Sequence, residues 1–351
     1  MPKLIFTGGH HTSSLEVALQ LKSQGVDVVW FGHRHSHWGD KSNTAEYHDI
    51  TSSGLKFRDL RAGKFYRTYH PLKLIRIPLG FLQSFFLLLR ERPDGIVSFG
   101  GYLAVPVVIT GWLLAIPSIT HEQTVAASWS NRLISFFVKK IALTWPQSTK
   151  YYPEGKTAVV GLPLRKEILE IRKRPQLSKR NHTVYVTGGK QGSHIINETI
   201  FSALSQLQKK YTVIHQTGRS SLFPDYQKAL SISSRRYIPF AYDNSKGLAA
   251  LEKASVVVSR AGAHITYELA VLGKKSVLVP ISWASHNEQL LNAQVLHSAG
   301  LAVILPQSEL SPASLQTAID QALQLSGQPL ALPLDATQKL TALIHEAFKL
   351  K

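Results

Sequence analysis

The sequence predicts an α/β fold in two parts, each a parallel sheet wound on both faces by helices. Three observations predict it. Short continuous apolar runs, such as Leu4–Phe6, Ile96–Val97 and Val256–Val258, recur between helical stretches, as strands buried on both faces require. Several of these runs end in glycine turns carrying polar residues, where open α/β sheets bind their ligands. The same order of strand, turn and helix then starts again beyond a basic linker, with no evident sequence identity between the halves.

Taken in order, Lys3–Thr7 reads as a first strand, Gly8–Gly9–His10 as its turn, Ser14–Gln24 as a helix and Val26–Phe31 as a second strand. Further strands follow at Gly95–Ser98, Pro117–Thr120, Ile141–Thr144 and Thr157–Val160, with helices at Val105–Leu114 and Asn131–Lys139. Arg165–Asn181 carries seven basic residues and a proline, which suits a short helix plus an exposed linker between domains. Thr183–Thr187, Tyr211–Gln216, Tyr237–Ile238, Val256–Ser259 and Ser276–Pro280 are the strands of the second half. Its helices lie at Ile195–Gln208, Ile265–Leu272 and from Glu288 onward, with terminal helices near Ser311–Gln324 and Asp335–Leu350.

Composition bounds the function. A chain of 351 residues exceeds one average core, and 44% hydrophobic with 18% charged residues marks it as globular. No apolar run reaches the ~20 residues of a spanning helix, and Met1–His10 reads as strand and turn, not as a signal peptide. With no cysteine, disulfides and zinc–thiolate sites are excluded. A formal charge of +18 calls for an anionic partner: nucleic acid, a phosphorylated substrate or an acidic membrane.

Leu60–Arg90 is the most asymmetric stretch. Arg61, Lys64, Arg67, Lys73, Arg76 and Arg90 are interleaved with Phe65, Tyr66, Tyr69, Phe81, Phe85 and Phe86, and no acid occurs. Pro78 suits the first turn of a helix through PLGFLQSFFLLLRER. A basic, aromatic, apolar segment of this kind suits an anionic membrane surface; a core helix with a basic flank and an RNA-binding face are the other readings. His33, His35 and His37 alternate in GHRHSHWGD and would face one way if extended, but nothing is spaced to complete a metal site.

Gly188-Gly189-Lys190-Gln191-Gly192-Ser193 sits between strand and helix, where backbone N–H groups receive a phosphate. A tight turn would need the glycines but not Lys190. Glu268, one turn into its helix, suits a ribose diol or a solvated face. His10 and His121–Glu122 end different strands, and a histidine there suits a general base or a turn cap. No G-x-S-x-G elbow and no Asp-x-Asp metal pair occurs, so a diphosphate would be neutralised by helix N-termini, Lys190, Arg165 and Arg260.

These motifs, in this order, resemble the MurG family of GT-B glycosyltransferases. The resemblance covers Lys3 to Ile304 through TGGH (Thr7–His10), SFGGY (Ser98–Tyr102), HEQ…NRL (His121–Gln123, Asn131–Leu133), GLPLR (Gly161–Arg165), GGKQGS, PFAYD (Pro239–Asp243), SRAGA…YELA and EQLLNA (Glu288–Ala293). It implies two Rossmann-like domains facing across a cleft. Residues 1–162 would form the acceptor and membrane-facing domain, 163–334 the UDP-sugar domain, with a helix in 335–351 packing back on the first. The family transfers N-acetylglucosamine, with inversion, from UDP-N-acetylglucosamine to the C4 hydroxyl of undecaprenyl-diphosphate-linked N-acetylmuramyl pentapeptide, a peptidoglycan precursor. No cofactor, no metal and no nucleic acid partner are expected.

Carried over by position, the resemblance gives Glu268 the ribose hydroxyls, the backbone near Ala241 the uracil edge, and Glu288 and Gln289 the sugar hydroxyls. Arg165, Gly189, Lys190, Gln191, Arg260 and Gly262 surround the diphosphate. Thr7, Gly8, Gly9, Tyr102, His121 and Asn131 form the acceptor side, with His10 as first candidate base and Glu122 as second. Lys73, Leu74, Arg76, Phe81, Phe85 and Phe86 match the family's membrane patch, which implies a peripheral enzyme on the cytoplasmic face of a bacterial membrane. The sequence departs from the family at Ile5 and Phe6 (two glycines), Thr124 (an asparagine), Lys190 (a serine) and Asn287-Glu288-Gln289 (Asp-His-Gln). The acceptor side has changed more than the donor side, so the alternatives are a relative with another lipid acceptor, or a non-catalytic nucleotide-sugar or RNA-binding protein.

Overall fold

The computed structural model describes residues 1–9, 11–35, 43–63, 76–174, 182–220, 222–281 and 287–350. His10, His37, Lys73 and Leu74 therefore lie outside the described residues. Contacts divide the chain into one unit of Met1–Arg165 with Pro333–Lys351 and a second of Lys166–Leu332.

In the first unit β1 (Lys3–Thr7), β2 (Asp27–Gly32), β3 (Lys56–Asp59), β4 (Gly95–Ser98), β5 (Ser118–Glu122), β6 (Lys140–Leu143) and β7 (Thr157–Val159) pair in the order β3-β2-β1-β4-β5-β6-β7. All these pairings are parallel. Successive strand residues go to opposite faces. Leu4, Phe6, Val28 and Trp30 join one core with α1 (His11–Ser23) and the terminal α13 (Ala336–Phe348). Ile5, Val29, Phe31 and Ile96 join another with α4 (Ala104–Leu113) and α5 (Trp129–Ile134). The last helix is seated by a glycine: a Cβ on Gly95 would collide with the ring of Phe348.

The second unit repeats the plan with β8 (Thr183–Thr187), β9 (Thr212–Gln216), β10 (Tyr237–Phe240), β11 (Val256–Ser259), β12 (Ser276–Leu278) and β13 (Ala302–Ile304), ordered β10-β9-β8-β11-β12-β13. Val184, Val186, Val256, Val258 and Val277 pack under α7 (His194–Lys210) and α12 (Pro312–Gln324). In each sheet the strand order reverses between two neighbours, β1 and β4 in the first, β8 and β11 in the second. A crevice at the carboxyl ends is expected there, and all four of those strands end in the glycine turns singled out above.

Remaining helices are α2 (Ala45–Ser52), α3 (Arg76–Glu91), α6 (Lys166–Lys173), α8 (Asp225–Ser231), α9 (Asn244–Lys253), α10 (Ala263–Leu272) and α11 (Glu288–Ser298). The sequence reading lacks α2, β3, α8, α9 and β13. Both omitted strands are sheet edges; β3 reads KFRD, with no apolar run, and β13 is only three residues long, AVI. Among the described residues no helix is long and apolar enough to cross a membrane.

Candidate active site on two glycine-turn edges

In the first unit the turns after β1 and β4 clasp each other. Phe99 N–H donates to Thr7 O (2.8 Å) and Gly9 N–H to Gly100 O (3.2 Å). Gly8 holds φ 136°, and a Cβ on it would lie 2.8 Å from the Phe99 backbone, so no side chain fits. Nothing lies within 4 Å of a Cβ built on Gly9. That glycine faces open space, although the chain needs no glycine there for packing.

β5 runs to Glu122, so His121 and Glu122 are its last residues and not part of the following turn. Glu122 is 3% exposed. Its Oε1 accepts from Gln123 N (3.0 Å), Thr124 N (3.1 Å) and Thr124 Oγ1 (3.0 Å). Its Oε2 accepts from Ser128 N (3.0 Å), Asn131 Nδ2 (2.9 Å) and Tyr152 OH (2.7 Å). Donors surround both carboxylate oxygens, so Glu122 anchors the 123–131 turn. Thr124, where the family has asparagine, gives its N–H to this anchor and has its hydroxyl between Glu122 and the Ala126 carbonyl. Tyr152 is the partner the sequence reading missed. It is 30 residues away with no spacing signal, and burial together with the Glu122 carboxylate holds its phenol far above the usual range.

Asn131 is buried and joins Glu122 to Thr120, whose Oγ1 donates to Asn131 Oδ1 (3.0 Å) and lies 3.1 Å from Ser98 Oγ. It also bounds Gly100, where a Cβ would meet the Asn131 amide at 2.8 Å. His121 is 1% exposed, and its Nε2 donates to Gly161 O (2.9 Å); it latches β5 to the GLPLR segment. Tyr102 is half-buried with its ring 5.5 Å from that of His33. Burial and the nearby Glu46 push its phenol up to about 12, so it remains a hydrogen-bond donor at neutral pH. Glu46 itself, on the unanticipated α2, accepts from Trp30 Nε1 (2.8 Å), and burial holds its carboxyl above the usual range.

In the second unit the turn after β8 packs on the end of β9. Gly192 (φ 81°) and Gly218 (φ 92°) touch so closely that a Cβ on either would collide with the other segment's backbone. Gly189 also has positive φ (82°), but nothing lies within 4 Å of its Cβ position, and the same is true of Gly262. α7 and α10 begin at these turns, after Ser193 and Gly262, and neither has a side-chain N-cap hydrogen bond. The partial positive charge of each helix end is thus directed at its turn. α2, α5, α9 and α12 are capped by Thr44, Ser128, Asp243 and Ser311, whereas α4, α8, α11 and α13 share the lack of a side-chain cap.

Arg260 donates from Nε and Nη2 to Ser193 Oγ (3.1 and 2.8 Å) and from Nη1 to Val279 O (3.1 Å). It braces the start of α7 against the ends of β11 and β12. Burial pulls its pKa down to about 10, leaving it charged at neutral pH. Glu268 is 6% exposed on α10, which removes the solvated-face reading. Gln289 Oε1 accepts from Ile281 N (3.1 Å), so its carbonyl holds the segment after β12; Glu288 opens α11 beside it. Lys190 Nζ and the Arg219 guanidinium lie 5.8 and 5.7 Å from the ring centre of Tyr242. Next to that group, a cavity of about 190 Å³ is lined by Thr217, Gly218, Arg219, Phe223, Tyr226 and Ala241. Gln191 is exposed in the turn, and Arg165 ends the first unit.

His194, Glu198 and Asp225 form a group of metal-ligand type. Its charges are already matched: Asp225 bonds His194 Nδ1 (2.8 Å) and Asn197 Nδ2 (2.7 Å), and Glu198 pairs with Lys228 (2.8 Å). Of the sequence-predicted patch, Arg76, Phe81, Phe85 and Phe86 lie on α3, where Leu79, Leu82, Phe86 and Leu89 form an exposed stripe at helical spacing.

Comparison with known proteins agrees with this plan. Family models for the glycosyltransferase family 28 N-terminal and C-terminal domains match residues 5–143 and 183–346. A UDP-N-acetylglucosamine–N-acetylmuramyl-(pentapeptide) pyrophosphoryl-undecaprenol N-acetylglucosamine transferase of Legionella pneumophila is 32% identical, covering 98% of this chain and 97% of its own. One of Bacillus cereus, transferase 2, is 31% identical over 90% of each chain. The crystal structure of Acinetobacter baumannii MurG superposes with a TM-score of 0.70 at 22% identity, covering 99% of this chain and 100% of that one, a likeness of two parallel-sheet α/β domains in the GT-B fold. The chain is a glycosyltransferase of family 28 and belongs, within it, to the MurG family.

Proposed function

We propose that the protein transfers N-acetylglucosamine from UDP-N-acetylglucosamine to the C4 hydroxyl of undecaprenyl-diphosphate-linked N-acetylmuramyl pentapeptide. What carries this reading is the pair of uncapped helix N-termini at the open glycines Gly189 and Gly262, in a chain of this family. Backbone N–H groups and helix dipoles there suit a diphosphate, and Lys190 and Arg165 add point charges. The cavity beside Ala241 is the place for the uracil ring, and Glu268 for the ribose hydroxyls. Glu288 and the Gln289 amide nitrogen take the sugar hydroxyls.

In the transfer step, the acceptor O4 forms a bond to the donor's anomeric carbon while the bond from that carbon to the diphosphate oxygen breaks, with inversion. The proton of O4 goes to a base, His10, and the negative charge that develops on UDP is held by the helix N-termini. Glu122, Asn131 and His121 position the acceptor turn without handling the proton. The exposed stripe of α3, with Arg76 and its basic neighbours, seats the protein peripherally on an anionic bilayer, on the cytoplasmic face, where the lipid-linked acceptor lies.

The test is incubation with labelled UDP-N-acetylglucosamine and the lipid-linked muramyl pentapeptide. Transfer of label is expected. UDP binding without transfer to this acceptor would overturn the assignment and favour the second reading, another lipid acceptor. That reading is motivated by Thr124, which is turned inward onto Glu122 where the family has asparagine.

A further inference from the structure

The second unit holds a larger cavity at the other edge of its sheet. It measures about 350 Å³ and is lined by His182, Glu252, Lys253, Lys274, Lys275 and the 325–329 segment. His182 and Lys275 stand immediately before β8 and β12, so the cavity lies at the amino ends of the strands, away from the glycine turns. Its volume falls at the low end of small-molecule sites. The wall is fixed in place: Gly327 N–H donates to Gly300 O (3.1 Å) and Leu330 N–H to Ala270 O (2.9 Å). A Cβ on Gly327 would collide with the Gly300 carbonyl, and one on Gly273 with Pro329.

The lining is cationic. Lys274 Nζ donates to Glu252 O (2.8 Å) and Ala254 O (3.0 Å), and Lys275 Nζ to Leu323 O (2.7 Å). Both lysines thus meet carbonyls at the C-terminal ends of α9 and α12, whose partial negative charge they offset. Capping accounts for their place but leaves the charges unbalanced. Glu252, the one carboxylate among the lining residues, is held by the Arg174 guanidinium at 2.9 and 3.1 Å. Lys253 adds a third ammonium, and His182 brings a buried Nδ1 with no hydrogen-bond partner among the described residues. Burial pulls the Lys274 amine down to about 8, and Glu252 offsets this only in part. The charged amine is short of counter-charge, and the space beside it can admit an anion.

We infer that this cavity binds a phosphate group, free or carried by a small molecule, between Lys253, Lys274, Lys275 and the 325–329 segment. Three ammonium groups suit a dianion with three acceptor oxygens better than a single carboxylate. The bound group lies against the stretch that runs on to Leu332, where the second unit ends. The site stands apart from the transferase reading, since none of its residues belongs to the carboxyl-edge turns.

Inorganic phosphate and glycerol 3-phosphate are the probes, titrated by calorimetry into the full chain with UDP in excess at the carboxyl edge. Binding is expected; tighter binding of the ester marks a phosphorylated small molecule as occupant, and equal binding marks free phosphate. Lys253→Glu and Gln328→Glu, at exposed lining positions, should each weaken it about tenfold with unchanged thermal denaturation. Hydrogen exchange of the 325–330 amides should slow when the probe is bound. At about pH 9, binding should take up protons as the phosphate restores the charge of Lys274, an uptake that Lys274→Met abolishes. If neither probe binds, or if binding ignores both charge substitutions and leaves exchange at 325–330 unchanged, the cavity is no phosphate site and the lysines only cap their helices. These readouts are local to the amino edge, so they decide the matter whatever the carboxyl edge binds.

Discussion

At the carboxyl end of β5 donors converge on the buried Glu122, and Asn131, Thr120 and His121 are all engaged around it. At the ends of β8 and β11 the opposite holds. Two helices begin without side-chain caps, and Gly189 and Gly262 face open space. Both edges belong to doubly wound sheets and both follow glycine turns. The difference is in what surrounds the polar groups: the first edge is satisfied by its own chain and keeps a shape, while the second opens two helix N-termini at glycines with open space beside them. A polar cluster at a strand end is therefore not by itself a catalytic one; the count of partners separates an anchor from a binding group.

The contrast is most severely tested by removing the anchor. Glu122→Ala should strip these donors of their acceptor and destabilise the first unit by about 3 kcal/mol or more, read as a loss of thermal stability. Should the variant melt as wild type and lose only turnover, Glu122 would return as a base. Within the second edge, Gly192→Ala and Gly262→Ala form a matched pair. The first forces a Cβ into a left-handed position against the Thr217 carbonyl and should cost several kcal/mol, on the order of 3. The second, at φ −69° with open space, should leave stability within about 0.5 kcal/mol but weaken UDP binding in calorimetry. Equal UDP affinity in Gly262→Ala would remove the α10 N-terminus from the site.

Glu268→Ala comes next, with UDP affinity expected to fall about tenfold from the loss of a charged hydrogen-bond acceptor; unchanged affinity would refute the ribose role. The smallest effect lies away from both edges. Burial pulls the Lys274 amine down to about 8 while its Nζ donates to Glu252 O and Ala254 O. The unfolded chain then binds more protons between about pH 8 and 10.4. Stability should accordingly rise through that window and fall as pH drops through 8, a slope that Lys274→Met would flatten.

Much of this was legible in the residues. Fully buried strands announce themselves as runs such as VVVS, and glycines that cannot carry a Cβ, Gly8 and Gly192, stand where strand order reverses. The edge strand β3 was not legible, because KFRD is half solvated and carries no apolar signal, whereas the edges β7 and β10 were. Nor was the satisfaction of Glu122: its partners Thr124, Ser128 and Asn131 are near in sequence, but Tyr152 arrives from beyond β6.

The sequence by itself determined the two parallel-sheet domains, the family and the places where glycine turns meet helix starts, since continuous apolar runs and backbone sterics are local properties written residue by residue. Tertiary structure decided which polar groups were already spent. Arg260 became a brace and Glu122 an anchor because hydrogen-bond capacity is consumed by neighbours that only folding brings within about 3 Å, and no spacing along the chain records that.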